Sequence, residues 1–387
     1  MSVTAAQGFT AAGVRAGIRR SARDLAVVRS TGPAVGAAMF TVNQVLAAPV
    51  VVSKEHLEIA EPQAIVVNSG VANAATGERG ELDAIATAAE AGRLLGLETE
   101  EVLILSTGVI GALLPLEKVL AGLREAVPAL SDAGGADAAE AILTTDTRTK
   151  ESAVSIDGFT VGGMAKGSGM IHPLLATMLA VVTTDYPLEP GEAIDFLRPT
   201  VDRSFNSISV DGECSTNDAV CLLANGLSAI ERTPATDASF ALALGRVCQE
   251  LAGQIVADGE GATVLAEIEV TGAVDAAQAR AIAARIATSP LVKTALFGHD
   301  ANWGRVLAAA GSAPWNGGFA SVEASKITLS YNGTVVLDRG APLGVEPDVS
   351  NGLCRIELDL GLGSGAASYL TSDLSYDYVR INADYRT

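Results

Sequence analysis

The chain has 387 residues, 49% of them hydrophobic, and a formal net charge of −19. The surplus of acid argues against nucleic acid and anionic membrane surfaces as partners, because both need clustered Lys and Arg. Mean hydropathy is +0.33, yet no apolar run approaches the ~18 residues of a membrane-crossing helix, and with only 4% aromatics the apolar share rests on Ala, Val and Leu, as in a tightly packed soluble enzyme. A chain of this length corresponds to two or three domains or one large one, and it buries a core without covalent staples.

The opening segment, MSVTAAQGFTAAGVRAG, lacks the charged start and apolar stretch of a secretion signal, so a cytoplasmic location is expected. AIVVN (64–68) and VLILS (102–106) read as buried strands, each followed by a glycine-containing turn. Between them a helix over 81–95 is expected to place Leu82, Ile85, Ala89 and Leu95 on one face and to stop at Gly96. SDAGGADAAEA (131–141) reads as a loop running into a helix. The clearest helix spans 237–257, where Phe240, Leu244, Val247, Leu251 and Ile255 recur at spacings of three and four and Asp237 is the expected cap. It ends at GEG (259–261). A strand at 263–270 and a helix at 274–287 follow, and KITLSY, GTVVLD, RIELDLGLG and DYVRINADY then read as strands. Helices and strands are mixed throughout, which favours α+β over a strictly parallel α/β fold.

Standard catalytic and phosphate-binding motifs are absent. The four cysteines (Cys214, Cys221, Cys248, Cys354) have no CxxC spacing, and the only histidines are His56, His172 and His299, so no metal site is expected. Two stretches remain. In STGVIG (106–111) a Thr-Gly pair ends a buried strand; it is either a plain turn or a place where a hydroxyl and a backbone N–H converge to hold an oxyanion. In VGGMAKGSGMIHPLLATMLAVVTTD (161–185), Lys166 among glycines is either a solvated side chain or an anchor for a carboxylate. His172 before Pro173 reads as a turn residue, and on composition alone Thr177 reads as half-buried filler.

GGMAKGSGMIHPLLATMLAVVTTD resembles the signature of the ornithine acetyltransferase family, also called the glutamate N-acetyltransferase family of arginine biosynthesis. The resemblance covers essentially the whole chain. In order, it runs through GFTAAGVRAGI, NQVLAAPVV, AIVVNSGVANAATGERG, STGVIG, LTTDTRTK, SFNSISVDGECSTNDA, ADGEGAT, SPLVKTALFGHDANWGRVLAAAG and YVRINADYRT. Two departures stand out: Cys214 where a Thr is common, and Ala301 where a Pro often precedes Asn302.

The resemblance implies an αββα sandwich like that of N-terminal-nucleophile enzymes, with a smaller C-terminal α/β region over roughly 270–387. It implies self-cleavage between Ala176 and Thr177 into chains 1–176 and 177–387, assembled as two copies of each, the cut not being a domain boundary of necessity. It makes Thr177 the nucleophile and Thr107 and Gly108 the oxyanion hole. Thr144, Lys166, Thr177, Glu260, Asn382 and Thr387 become substrate contacts, with Thr145 an equal alternative to Thr144. The substrates are N2-acetyl-L-ornithine and L-glutamate, with no metal and no cofactor; some members also take acetyl from acetyl-CoA. Cleavage would free an α-amine on Thr177, whose reference pKa near ~8 suits a general base. Asn382 and Thr387 reach such a site only if the tail packs back on the core. The competing expectations are a related N-terminal-nucleophile amidohydrolase or aminopeptidase, and a non-catalytic amino-acid-binding protein.

Overall fold

The computed structural model describes residues 2–172 and 178–384. The chain opens with β1 (Phe9–Val14), β2 (Leu25–Ser30), β3 (Val35–Phe40) and α1 (Ala48–Ile59). β4 (Ala64–Val71), α2 (Gly77–Leu95), β5 (Val102–Val109), α3 (Leu116–Ala126) and α4 (Gly135–Ala141) follow. Then come β6 (Lys150–Ile156), β7 (Phe159–Lys166), β8 (Leu179–Thr184), α5 (Ala193–Asp202), β9 (Ile208–Ser209), β10 (Ala219–Ala224) and α6 (Pro234–Ala257). The last third holds β11 (Leu265–Ala273), α7 (Ala276–Ala287), α8 (Pro290–Phe297), α9 (Trp303–Gly311) and the short pair β12 (Pro314–Trp315) and β13 (Gly318–Phe319). It closes with β14 (Thr328–Tyr331), β15 (Thr334–Asp338), β16 (Ala341–Pro342), β17 (Leu353–Asp359), β18 (Gly365–Ser372) and α10 (Tyr376–Asp384).

Two sheets, ordered β1-β2-β4-β5 and β3-β10-β8-β7-β6, lie face to face. Alternation along each strand decides which side chains fill which layer. Val28, Ile65, Val67, Leu103 and Leu105 of the first sheet share a core with Met164, Leu179, Val181, Cys221 and Leu223 of the second. The opposite faces are covered by helices. Val27, Val66 and Ile104 pack on Ala88, Ala91 and Leu95 of α2 and Val119 and Leu123 of α3, while Val161, Val182, Val220 and Leu222 pack on Leu197 of α5 and Phe240, Leu244 and Leu251 of α6. The result is the expected αββα sandwich. A third sheet, β16-β15-β14-β17-β11-β18-β9, buries Ile268, Ile356 and Leu358 against Ile282, Leu296 and Val306 of α7 to α9. β9 stitches it to the sandwich by pairing with β18.

Three local expectations are corrected. α2 buries Ala84, Thr87, Ala88, Ala91 and Leu95, whereas Leu82 and Ile85 are exposed: its small residues allow close approach to the sheet, and packing overrides size. The cap of α6 is Thr233, whose Oγ1 accepts from Thr236 N; Asp237 instead takes hydrogen bonds from Tyr186 and Arg232. DYVRINADY contributes to a helix, α10, not to a strand. The preceding Ser375 Oγ accepts from Tyr378 N at 3.2 Å, and an Asp377–Arg380 ion pair spans the first turn, so capping outweighs the apolar alternation of Val379 and Ile381.

Candidate active site

β5 delivers Thr107 and Gly108 at its end. Gly108 has φ +133°, and a Cβ there would stand 2.3 Å from the Gly70 carbonyl carbon and 2.6 Å from Val71 N. Only glycine fits, because the parallel neighbour β4 bulges at Gly70 and Val71. Beside this end Asn217 donates from Nδ2 to Ser106 O at 2.9 Å and to Ala72 O at 2.6 Å, which clamps the 211–217 loop to the strand ends.

β7 delivers Lys166 from the second sheet. Its side chain is 2% exposed, not solvated, and Nζ donates to Thr107 Oγ1 at 3.4 Å. Burial pushes this ammonium below its ordinary pKa, and the nearby Asp146 carboxylate works against that shift. Asp146 is itself held below the ordinary carboxylate range: burial opposes its ionisation, but Lys166 and Lys150 outweigh burial.

The other wall is anionic. Glu260, in the turn after α6, is fixed by a bond from its N–H to Ser168 O at 2.9 Å, and its Oε2 accepts from Asn382 Nδ2 of α10 at 2.8 Å. Asp211 accepts from Met170 N at 2.6 Å, Ile171 N at 2.8 Å and the Tyr378 hydroxyl at 3.3 Å. Burial pushes its carboxyl up, against the pull of those backbone donors.

These groups line one cleft, in which Thr107, Gly108, Thr144, Thr145, Lys166, Glu260 and Asn382 all take part. Both Thr144 and Thr145 face it, so the two readings of that contact stand together. Ala176, Thr177 and Thr387 lie outside the described residues. On the near side of that gap Met170 lines the cleft. On the far side Met178 N donates to Asp218 Oδ1 at 2.9 Å, and burial holds the Asp218 carboxyl well above its usual range. Cys214, the departure noted in the sequence, also lines the cleft.

The residues that sequence reasoning left unassigned are Asp146, Lys150, Asp211, Asn217 and Tyr378. Each sits inside a block quoted above for the resemblance, in LTTDTRTK, SVDGECSTND or the YVRINADYRT tail. A polar or charged residue inside such a block was the available signal. Chemically, a hydroxyl, a glycine N–H and an ammonium at one end, with carboxylates at the other, suit a small molecule bearing both a carboxylate and an ammonium group. Among the described residues no group of His, Cys, Asp and Glu is arranged to hold a metal ion.

Comparison with known proteins gives three findings. Residues 10–387 match the model of the ArgJ family. The chain is 45% identical over 400 residues to the arginine biosynthesis bifunctional protein ArgJ of Symbiobacterium thermophilum, covering 100% of this chain and 98% of that protein, and 47% identical over 395 residues to its namesake in Mycolicibacterium paratuberculosis, covering 99% and 96%. Among solved structures, the ornithine acetyltransferase of Mycobacterium tuberculosis complexed with ornithine is 44% identical over 46% of this chain and 95% of its own, with a TM-score of 0.43.

Proposed function

This chain belongs to the ArgJ family and is an acetyl-transferring enzyme of arginine biosynthesis; we propose that it moves the acetyl group of N2-acetyl-L-ornithine to L-glutamate through an ester on Thr177. The observation that carries this reading is the convergence of Thr107, Gly108, Lys166, Glu260 and Asn382, from four distant parts of the chain, on one cleft.

The chain first cuts itself. The Thr177 hydroxyl attacks the Ala176 carbonyl, an ester replaces the peptide bond, and water opens the ester, leaving chains 1–176 and 177–387. The freed α-amine, with a reference pKa near ~8, then serves as base for its own hydroxyl. Oγ attacks the acetyl carbonyl of N2-acetylornithine. The oxyanion takes hydrogen bonds from the Thr107 hydroxyl and the Gly108 N–H. The C–N bond breaks, the proton passes to the departing ornithine amine, and acetyl-Thr177 remains. Glutamate's amine attacks this ester, N-acetylglutamate leaves, and Oγ regains its proton. Lys166 pairs with a substrate carboxylate, Glu260 with an ammonium held in register by Asn382, and Thr144 or Thr145 and Thr387 complete the contacts. The working assembly is two copies of each chain in the cytoplasm.

Thr177→Ala is the test. It leaves one full-length band on a denaturing gel where the wild type gives two, and incubation of the wild type with acetylornithine adds one acetyl mass to the 177–387 chain. Two bands from the variant overturn the assignment. Transfer to glutamate, set against release of free acetate, separates a transferase from a hydrolase, and acetyl-CoA with glutamate tests the second donor.

A further inference from the structure

Asp146 lies between α4 and β6 and gathers contacts from three parts of the chain. Its Oδ1 accepts from Lys150 Nζ and from Gly167 N, both at 2.7 Å. Its Oδ2 accepts from Thr144 N at 3.0 Å and lies 3.9 Å from Lys166 Nζ. Lys150 is shared in turn with Asp258 at 2.6 Å. Two ammoniums and two carboxylates thus balance inside the protein, and no side chain of the four exceeds 4% exposure. Stability is a weak reason for such a cluster, since the cost of dehydrating buried charges commonly cancels their attraction. Geometry is a stronger one.

An ammonium has three protons to give and no lone pair to accept one. The 3.4 Å contact between Lys166 Nζ and Thr107 Oγ1 therefore runs in one direction: Lys166 donates and Thr107 accepts. The hydroxyl's own proton is left to point elsewhere, and Thr107 lines the cleft. A neutral lysine removes this one-way constraint. Its lone pair is then able to accept the Thr107 proton, which lets that proton turn away from the cleft.

We propose that Asp146 is a positioning residue for acetyl transfer: by pairing with Lys166 it keeps that side chain a donor to Thr107 Oγ1, and so aims the Thr107 hydroxyl proton at the reacting oxygen. This rests on the reading of Thr107 as an oxyanion donor. The groups that act on Lys166 are Asp146, Lys150, Asp218 and Glu260. Removing the charge of Asp146 takes away the carboxylate beside Lys166 while Lys150, still paired with Asp258, stays as a like charge, with Asp218 and Glu260 the remaining acids that act on Lys166. Lys166 then loses its proton at lower pH, and the oxyanion donor is lost with it.

The test is a double-mutant cycle on kcat for acetylornithine and glutamate, read from about pH 6 to 10 on the processed enzyme. Thr107→Val is expected to slow turnover about a hundredfold. Asp146→Asn is expected to slow it about tenfold and to move the alkaline limb of kcat about one unit to lower pH. The double variant is expected to be no slower than Thr107→Val alone and to show no further shift of that limb. Lys166→Met is the companion variant should Asp146→Asn fail to fold; its effect on kcat, as distinct from KM, must also vanish in the Thr107→Val background. Where a variant is processed slowly, the rate of chain cleavage is read in the same cycle. Additive losses, or an unmoved alkaline limb in Asp146→Asn, overturn the proposal and leave the role of Thr107 intact. Wild-type kcat in Thr107→Val overturns the reading beneath it.

Discussion

Asn382 donates from Nδ2 to Glu260 Oε2 at 2.8 Å, a bond that spans 122 residues of chain and holds the C-terminal helix α10 against the turn after α6. Glu260 is 8% exposed, so its carboxylate is largely shielded from water and depends on such donors. Asn382→Ala is expected to lower kcat/KM for acetylornithine about tenfold, the equivalent of one hydrogen bond to a charged group, while the melting temperature stays within a few degrees. Steady-state kinetics beside a thermal melt check both halves; a large loss of stability would show that α10 serves the fold instead of the site.

Gly108→Ala is expected to abolish turnover. The added carbon meets the Gly70 backbone at 2.3 Å, and neither strand end can retreat while Asn217 clamps the region. Gly111→Ala is the control: φ is +80° but nothing lies within 4 Å, so the cost is about 1–2 kcal/mol of left-handed strain with turnover retained. Activity and urea midpoints of the two variants check the contrast.

Phe240→Ala is expected to destabilise the protein by about 3–5 kcal/mol without altering the site. Phe240 is fully buried, and its ring stacks on Tyr186 at 4.6 Å and meets Phe196 edge-on at 5.0 Å. Urea denaturation reads the loss, and kcat at a temperature where the variant is folded stays near wild type.

Lys293 of α8 makes stability depend on pH. Burial pushes its ammonium down to about 8, although Asp373 and Asp211 pull it upward; Nζ donates to Thr371 Oγ1 at 3.0 Å and to Ser372 O. An unfolded lysine titrates near ~10.4. Between about pH 8 and 10.4 the unfolded chain therefore binds more protons than the folded one, and this side chain makes unfolding harder as pH rises. Relative to Lys293→Met, the wild type is expected to gain on the order of 3 kcal/mol from pH 7.5 to 10.5. Urea denaturation of both proteins across that range checks the slope; a constant difference between them refutes it.

Two strands of the sandwich were legible because each is buried on both faces over most of its length and so reads as a short apolar run: AIVVN and VLILS became the cores of β4 and β5. The stop of α2 was legible too, since Gly96 takes the left-handed conformation that glycine adopts most readily. The inward face of α2 was not, because its contact is made by Ala84, Ala88 and Ala91 and its larger Leu82 and Ile85 face outward. Nor was α10, where the alternating pattern of Val379 and Ile381 mimics a strand and the deciding groups, Ser375 and the Asp377–Arg380 pair, act through local bonds.

By itself the sequence determined the strand-and-helix alternation, the Thr-Gly at the end of a buried strand and the motifs that tie the chain to its family. These are local properties, written in the period of apolar residues and in the order of short segments. Tertiary structure alone decided that Lys166 of β7 meets Thr107 of β5, that Asp146, Lys150 and Asp258 neutralise one another beside them, and that Asn382 reaches Glu260. A buried charge is tolerable only beside its partner, and these partners come together across 59, 108 and 122 residues, through sheet packing that no window of the sequence contains.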